Sequence, residues 1–447
     1  MVLHVVIVGG GLGGLCLAHA LNTSGISVNI LERDKGLDSR GQGLVIGLRQ
    51  EGVDALTAAG QAQVLASLMQ RQGPSDLAIL DERGRTLIRA RDFLKVELGC
   101  RDMRSSLLDR SALRRKLAEG LPAGVIKWGA RVTSYDDRGE EGVQLVLEDG
   151  STVIADVVVG ADGANSALRD RLAPELRPES LGIWTLAGTL AVPDESAWAT
   201  NGVYTAACQS LARLGGRDGC SLMTFVYFTT DPSSDQPTRT FLWSLSIPSA
   251  TNTEIQQPST SKERRLAITL DLLRSKFSSA EAEALVAATP PTSLDLAYDI
   301  VSVNPEHLAS GSMGQVRSGR TTLLGDAAHK TTTQAGMGAS AAFMDALDLA
   351  DALVNVPSPS LTEVSAALRS YESKMASRAV NVVNESVGNT KRIHDISPDN
   401  KRRKVQWVMW TVGWILPGVQ WATWSGRTLK RLCTGRWFTP RVTPRFK

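Results

Sequence analysis

Residues 2–14 read Val-Leu-His-Val-Val-Ile-Val-Gly-Gly-Gly-Leu-Gly-Gly, an apolar run that passes directly into a glycine-rich turn. The β-branched residues of 2–8 are typical of a fully buried parallel strand, which favours a first strand over a signal peptide. A helical pattern follows at 15–21, and a second apolar run follows at 27–31. The segment therefore predicts a βαβ unit.

The glycines of this turn have G-x-G-x-x-G spacing at Gly9, Gly11 and Gly14. Gly9 permits a tight turn, Gly11 lets the backbone approach a pyrophosphate, and Gly14 lets the helix pack closely on the strand. Glu32 ends the second strand, where a carboxylate can accept hydrogen bonds from both hydroxyls of a ribose. With Arg33 beside it, Glu32 completes a predicted dinucleotide site, and the alternative is a chance glycine turn.

Two further segments carry short motifs. Residues 156–169 read Asp-Val-Val-Val-Gly-Ala-Asp-Gly-Ala-Asn-Ser-Ala-Leu-Arg, and residues 324–329 read Leu-Gly-Asp-Ala-Ala-His. In order and separation, the three motifs resemble the glycine fingerprint, the DG motif and the GD motif of the single-component (group A) FAD-dependent monooxygenases. This is the para-hydroxybenzoate hydroxylase-like family, and the resemblance covers roughly 1–175 and 297–395.

The resemblance implies roles for several residues. Asp162 is similar to the DG aspartate, which contacts FAD and NAD(P)H in this family. Arg110 is similar to an arginine that lies near the phosphates of the cofactor. Asp326, after Gly325, is similar to the GD aspartate that binds the ribityl hydroxyls. The alternatives are a simple turn at Asp162 and a solvated helix charge at Arg110. The loop at Gly336, Gly338 and Ala339 is predicted to open a helix whose N-terminus faces the flavin ring. The dipole of such a helix stabilises the negative charge of a reduced flavin.

The predicted fold is α/β, with a Rossmann-like FAD-binding domain formed by residues 1–175 and 297–395. Strand-like runs at 184–192, 221–229 and 240–247, with turn residues between them, predict a mixed or antiparallel β-sheet domain at 176–296 that binds the substrate. Residues 396–447 are predicted to form a helical C-terminal segment.

The resemblance also implies a reaction. Such enzymes use NAD(P)H and O₂ to hydroxylate or epoxidise a small molecule through a flavin C4a-(hydro)peroxide. The expected substrate is hydrophobic, either aromatic, polyketide-like or terpenoid-like, and the expected setting is secondary metabolism. The alternatives are a FAD-dependent reductase or dehydrogenase acting on a lipid-like substrate, and a non-catalytic FAD-binding protein associated with a membrane.

The sequence does not identify a general base. Arg40 and His329 are candidate catalytic residues, although Arg40 also fits a surface loop charge and His329 a side chain that orients its loop. The GD motif departs from the family, which often has prolines where this chain has Lys330 and Thr333. Because those prolines shape the loop over the flavin, the FAD cofactor is better supported than the exact reaction.

The C-terminal segment is basic and rich in tryptophan. Residues 401–447 contain eleven Lys or Arg and no Asp or Glu. The basic residues flank an uncharged run at 405–426 that contains five tryptophans. This composition predicts peripheral contact of 401–447 with a membrane, and the alternatives are a helical cap on the protein and a spanning helix. No nucleic-acid motif accompanies the charge. Five cysteines without C-x-x-C spacing indicate a reducing, cytoplasmic setting and no metal site.

Overall fold

The computed structural model of the chain describes residues 3–39, 43, 45–69, 76–90, 107–230, 237–294, 296–309 and 319–395. Arg40 and the whole C-terminal segment 396–447 lie outside these residues, so the predictions made for them lie outside the described structure. Among the described helices, none combines the length and apolar character that are needed to cross a membrane.

The elements are numbered here in chain order. The strands are β1 His4–Val8, β2 Ser27–Glu32, β3 Val45–Gly47, β4 Asp76–Leu80, β5 Thr86–Ala90, β6 Leu107–Asp109, β7 Ile126–Trp128, β8 Val132–Asp137, β9 Val143–Leu147, β10 Thr152–Ala155, β11 Val157–Gly160, β12 Glu179–Ala191, β13 Ser210–Gly215, β14 Ser221–Thr230, β15 Pro237–Pro248, β16 Leu296–Ser302 and β17 Thr321–Leu323. The α-helices are α1 Leu12–Thr23, α2 Gln50–Leu56, α3 Ala62–Met69, α4 Arg110–Glu119, α5 Ala167–Leu172, α6 Gly202–Gln209, α7 Lys262–Lys276, α8 Ala280–Ala287, α9 Pro305–Ala309, α10 Asp326–His329, α11 Gly338–Val354 and α12 Leu361–Asp395.

A five-stranded parallel sheet has the order β17-β11-β1-β2-β7. Its central strand β1 is covered on both faces, and Val5, Val6 and Ile7 are all 0% exposed. This burial explains why the strand is a continuous apolar run instead of an alternating one. The helix α1 follows β1 and packs against α11, so the predicted βαβ unit lies at the centre of this sheet.

A seven-stranded mixed sheet has the order β16-β12-β15-β14-β13-β4-β5. Its pairs are antiparallel except for β13 with β4, which are parallel. The sheet takes β4 and β5 from residues 76–90, which the sequence placed in the FAD-binding domain, so it extends beyond the predicted boundaries 176–296. The local pattern predicts the β4–β5 hairpin, but the pairing of β4 with a strand far along the chain leaves no local signal.

The two faces of this sheet differ. On one face, Phe241, Trp243 and Leu245 of β15 pack in a core with residues of α6, α7 and α8. On the opposite face, Leu242 forms a smaller apolar cluster with Phe225 and Tyr227, against which residues of β3 and β6 also pack. The second face is therefore turned toward β3 and β6, which lie in the chain between strands β2 and β7 of the parallel sheet.

The last described helix, α12, connects the two sheets. Its Tyr371 hydroxyl donates to the carbonyl oxygen of Leu323 in β17, at 2.9 Å. Near its other end, Nδ1 of His394 lies 2.7 Å from the carbonyl oxygen of Gly219, in the turn between β13 and β14. The helix thus contacts the parallel sheet and the seven-stranded sheet along its length.

Candidate active site

The predicted motifs meet at one edge of the parallel sheet. Gly9 follows β1, Glu32 ends β2, Asp162 follows β11 and Gly325 follows β17. Because neighbouring strands in this sheet are parallel, their carboxyl ends lie along the same edge. A crevice outside the carboxyl ends of such strands is the usual place for a ligand in an open α/β sheet.

The three fingerprint glycines have different surroundings. Gly9 has φ +113°, and a Cβ built there would lie 2.5 Å from the carbonyl oxygen of Ala161. A Cβ on Gly14 would lie 2.3 Å from the carbonyl oxygen of Gly9, so this glycine allows α1 to pack on β1. On Gly11, the nearest described atom to an added Cβ is Ala161 O at 4.0 Å, so the backbone there faces open space.

Glu32 is 5% exposed, and both of its carboxylate oxygens accept main-chain hydrogen bonds. Oε2 accepts from the N–H of Gly10 at 2.6 Å, and Oε1 accepts from the N–H of Asp34 at 2.8 Å. The carboxylate is therefore fixed beside the glycine turn, with lone pairs left for a ligand. Its neighbour Arg33 is exposed at the same edge.

Arg114 of α4 belongs to this site, although the sequence did not single it out. Its guanidinium is 3% exposed and donates from Nε to the carbonyl oxygen of Gly10 at 2.9 Å. Nη2 lies 3.6 Å from carboxylate oxygens of Glu32 and Asp34. The sequence showed only a helix with a basic face, because the residue types of α4 do not reveal which arginine is turned inward.

Asp162 lies at the start of the loop before α5. Oδ2 accepts a hydrogen bond from the N–H of Ala167 at 2.9 Å. Oδ1 is buried and accepts no hydrogen bond from any described residue. Burial raises the pKa of this carboxyl above its ordinary value, because the charged form loses its water. Because buried acceptors in folded proteins usually have a partner, Oδ1 of Asp162 is a candidate contact for a ligand.

Arg110 is partly buried at the start of α4. Its guanidinium lies against Gly43, since a Cβ built on that glycine would lie 3.2 Å from Nη1 of Arg110. Gly43 has φ +91°, a left-handed conformation in which glycine is favoured. A larger residue at 43 would therefore be strained and would also displace the arginine.

The GD loop is held by a buried carboxylate that the sequence analysis missed. Gly325 has φ +61°, and its N–H donates to Oδ2 of Asp345 at 3.0 Å. Asp345 lies on α11, is 0% exposed, and accepts from Nη2 of Arg378 at 2.7 Å through its other oxygen. The sequence signal for this buried carboxylate is its spacing. Asp345 lies four positions from both Ala341 and Leu349, on the buried face of α11.

His329 is part of the same network. Its ring is 1% exposed, and Nε2 lies 2.6 Å from Oδ2 of Asp345. Burial opposes a charge on the ring, but the attraction of Asp345 outweighs it and raises the pKa of His329 above its ordinary value. The structure thus places this histidine inside the protein, in contact with the same carboxylate oxygen that accepts from the N–H of Gly325.

The other residues of the third motif cluster around Asp326. Nζ of Lys330 donates to Oδ2 of Asp326 at 3.1 Å. A Cβ built on Gly338 would lie 3.6 Å from Oδ1 of the same carboxylate, so α11 begins beside it. Gly336 has φ +62° with no described atom within 4 Å of an added Cβ, and Ala339 is partly buried in the first turn of α11. Lys330, at a position where the family often has proline, thus contacts the predicted ribityl-binding residue.

The loop that lacks prolines is anchored by hydroxyl groups. Thr332 is 3% exposed, and its Oγ1 lies 2.6 Å from Oγ of Ser386 and accepts from Oγ1 of Thr390 at 2.8 Å. Both partners lie on α12. Thr333 is exposed, and its Oγ1 lies 3.1 Å from the hydroxyl of Tyr298 on β16. Side-chain hydrogen bonds therefore fix a segment that proline rings would otherwise stiffen.

We expect Thr332→Val to lower the free energy of unfolding by about 1–3 kcal/mol, because it removes the hydrogen bonds that a buried hydroxyl makes with Ser386 and Thr390 of α12. Urea denaturation followed by circular dichroism measures this. Thr333→Val is the matched control, since that side chain is exposed, and its loss should stay within about 0.5 kcal/mol. Equal losses from the two variants would contradict an anchoring role for Thr332.

The edge described above fits a dinucleotide with a pyrophosphate. The open approach at Gly11 and the N-terminus of α1, which has no acidic residue in its first turn, lie at this edge. Asp162, whose Oδ1 is unsatisfied, follows the neighbouring strand β11. Main-chain N–H groups at a helix N-terminus bind phosphate through hydrogen bonds and the helix dipole. The donor and acceptor groups of the site therefore match those of FAD.

A family model described as the FAD binding domain matches residues 2–386 of the chain. The chain belongs to this family. It is 29% identical over 419 residues to a 3-amino-4-hydroxybenzoate 2-monooxygenase of Streptomyces platensis. The aligned region covers 90% of this chain and 91% of that protein. It is 27% identical over 399 residues to a FAD-dependent monooxygenase of Trichoderma harzianum, and this alignment covers 85% of this chain and 91% of that protein.

Solved structures show the same fold. HpxO of Klebsiella pneumoniae, in a complex with FAD and uric acid, has a TM-score of 0.71 at 22% identity and covers 96% of each chain. A salicylate hydroxylase in a complex with its substrate has a TM-score of 0.67 at 19% identity. The family and these relatives confirm the predicted fold class, the FAD cofactor and the class of the enzyme, a FAD-dependent monooxygenase with NAD(P)H as co-substrate.

Proposed function

We propose that the carboxyl edge of the parallel sheet holds FAD through the residues predicted from the sequence. Main-chain N–H groups beside Gly9, Gly11 and Gly14 bind the pyrophosphate, and Glu32 binds the ribose of the adenosine. These assignments rest on the open space at Gly11 and on the fixed orientation of the buried Glu32 carboxylate. Arg33 and Arg110 provide positive charge at the same edge.

The GD loop and the start of α11 hold the flavin half in this proposal. Asp326, after Gly325, accepts hydrogen bonds from the ribityl hydroxyls, and Asp162 accepts through its unsatisfied Oδ1. The N-terminus of α11 at Gly336, Gly338 and Ala339 places main-chain N–H groups and the positive end of a helix dipole beside the flavin ring. His329 acts as a positioning residue, since its contacts lie within the protein.

We propose that the substrate lies between the flavin and the second face of the seven-stranded sheet. The observation that carries this proposal is the apolar cluster of Phe225, Tyr227 and Leu242, against which Leu211 and Met223 also pack. Such a surface binds a hydrophobic body and excludes water. The substrate is then a hydrophobic aromatic, polyketide-like or terpenoid-like molecule that is hydroxylated or epoxidised in secondary metabolism. When bound, FAD supplies the hydride-transfer and oxygen chemistry.

Purified protein loaded with FAD tests this proposal. NAD(P)H oxidation and O₂ uptake are recorded together while a panel of phenols, naphthols and polyketide-like or terpenoid-like compounds is added. We expect at least one compound to accelerate both rates in equal amounts and to gain one oxygen atom by mass spectrometry. Accelerated NAD(P)H oxidation that gives a reduced compound, without oxygen incorporation, would instead indicate a reductase.

We also propose that the basic, tryptophan-rich segment 401–447 contacts membrane surfaces. The support is its composition, since tryptophan prefers the membrane interface and eleven Lys or Arg attract anionic headgroups. Flotation with vesicles that contain phosphatidylserine compares the full chain with a variant that ends at residue 400. We expect only the full chain to float and its binding to weaken with salt, whereas equal flotation of both proteins would rule out this role.

A further inference from the structure

Lys330 brings a positive charge to the residues proposed to hold the flavin. It follows α10 directly, at a position where the family often has proline. Its φ is −49°, close to the angle that a proline ring imposes, so the backbone at this position is one that proline also adopts. What this chain gains at position 330 is therefore the side chain of the lysine.

The main chain of Lys330 is held by the end of β16. Its carbonyl oxygen accepts from the N–H of Val303 at 2.9 Å and from the hydroxyl of Ser302 at 3.2 Å. The side chain turns back along α10, and Nζ lies 3.1 Å from Oδ2 of Asp326. The Lys330 side chain is 18% exposed and that of Asp326 is 38% exposed. The lysine is thus mostly covered by the protein, whereas the carboxylate remains open to a ligand.

The two oxygens of the Asp326 carboxylate have different surroundings. Oδ2 is bound by Lys330, whereas Oδ1 lies 3.6 Å from the position of a Cβ built on Gly338, at the start of α11. Because one oxygen is held by the ammonium, the rotation of the carboxylate is restricted. The other oxygen is thereby kept beside the helix N-terminus that is proposed to face the flavin.

The charge of Asp326 matters when the flavin is reduced. Transfer of a hydride from NAD(P)H to neutral FAD leaves NAD(P)+ and a reduced flavin with one negative charge, because two electrons arrive with one proton. An unpaired carboxylate at Asp326 would repel this charge, and an ammonium beside it offsets the repulsion. At the other end of the site, Arg114 lies 3.6 Å from Glu32, so the carboxylate proposed to bind the adenosine ribose also has a cation beside it.

We propose that Lys330 is a positioning residue that holds Asp326 toward the ribityl chain and raises the reduction potential of the bound flavin. It acts through the carboxylate that it orients and through the positive charge that it places beside that carboxylate. The reduced cofactor is then bound more tightly relative to the oxidised cofactor, which favours hydride transfer from NAD(P)H. This inference rests on the proposed function, since it concerns the same FAD site.

The midpoint potential of the bound flavin tests the inference without any substrate. The FAD-loaded protein is reduced slowly without oxygen, in equilibrium with a reference dye of known potential, and the affinity for oxidised FAD is measured by titration. We expect Lys330→Met to lower the ratio of the affinities for reduced and oxidised FAD about 10-fold, which is ~30 mV for a two-electron couple. Lys330→Gln, which keeps a hydrogen-bond donor but has no charge, should give the same decrease, and Lys330→Arg should stay within about 2-fold of the original protein.

Two further variants separate the effect of charge from a disturbance of the loop. Asp326→Asn removes a negative charge from the same pair, so it should shift the potential upward, opposite to Lys330→Met. Lys276→Met breaks another Lys–Asp pair, with Asp218 at 2.7 Å, and its lysine is 25% exposed. Because Lys276 ends α7, a helix that packs on the other face of the seven-stranded sheet, its loss should leave the potential unchanged.

The outcomes distinguish a failure of this inference from a failure of the proposed function. An unchanged potential in Lys330→Met and Lys330→Gln, in a protein that binds FAD and incorporates oxygen, overturns the role of Lys330 alone. Shifts of the same sign in Lys330→Met and Asp326→Asn also overturn it, because they indicate a disturbed loop. If the original protein binds no FAD, the proposed function fails and this inference fails with it.

Discussion

Asp345→Asn is expected to destabilise the protein by about 3–5 kcal/mol and to weaken FAD binding, because it removes one partner from a buried ionic network. Asp345 is 0% exposed and accepts from the N–H of Gly325 and from Arg378, while His329 contacts the same carboxylate. Loss of the carboxylate removes the only carboxylate paired with His329 among the described residues and one of the two paired with Arg378, which also contacts Asp348, and it releases the start of the GD loop. Urea unfolding and FAD titration measure the two effects.

The exposed Asp351 on the same helix provides the control for this variant. Asp351→Asn should change the free energy of unfolding by less than about 0.5 kcal/mol and leave FAD affinity unchanged. If Asp345→Asn is as stable as this control, the network does not hold the loop. If it is destabilised but binds FAD normally, Asp345 supports the fold and has no role in positioning Gly325.

The same pair predicts a pH dependence. Burial opposes the charge on each group, but their attraction lowers the pKa of Asp345 and raises the pKa of His329. The Asp345 contribution is therefore present above its unfolded pKa near 4 and is lost as the pH falls through its lower folded value. The His329 contribution is present below about 6.5 and is lost as the pH rises through its raised folded value. The difference in stability between the original protein and Asp345→Asn should thus be largest between these limits.

Gly11→Ala is expected to weaken FAD binding by about 10- to 100-fold without unfolding the protein, because each lost charge-assisted hydrogen bond to a phosphate costs about 1.5–3 kcal/mol. An added methyl group meets no described atom closer than Ala161 O at 4.0 Å, so the apoprotein tolerates it. It would, however, occupy the space into which the pyrophosphate is proposed to fit. Quenching of FAD fluorescence on titration gives the dissociation constant, and thermal unfolding of the apoprotein gives its stability.

Gly14→Ala is the contrasting variant in the same fingerprint. Its methyl group would lie 2.3 Å from the carbonyl oxygen of Gly9, so it should lower the stability of the apoprotein itself by about 1–3 kcal/mol. If Gly11→Ala binds FAD as tightly as the original protein, the pyrophosphate does not approach this turn. If both variants behave alike in stability, the separate roles of the two glycines are wrong.

The parts of the structure that could be predicted are those with local patterns. The first strand, the glycine turn, Glu32 at the end of β2 and the hairpin at β4–β5 each leave a signal within a few residues. The carboxyl edge could also be predicted, because parallel strands place the residues that follow them along one edge. Burial then explains why β1 is wholly apolar.

Other features depend on packing between distant segments. Arg114 becomes a site residue only because α4 turns it inward, and helical periodicity does not distinguish it from a surface arginine. The hydroxyl anchor at Thr332 depends on Ser386, which is more than fifty residues away. The sequence reveals that prolines are replaced in this loop, but only the structure shows what fixes the loop instead.

A crystal structure of the protein with FAD bound measures the position of the cofactor directly. The pyrophosphate should lie within hydrogen-bond distance of the main-chain N–H groups at the start of α1, with the adenosine ribose at Glu32 and the ribityl chain at Asp326. The flavin ring should then face the side of the seven-stranded sheet that carries Phe225, Tyr227 and Leu242. FAD density away from the carboxyl edge of the parallel sheet, or an adenosine half at Asp326, would contradict this arrangement.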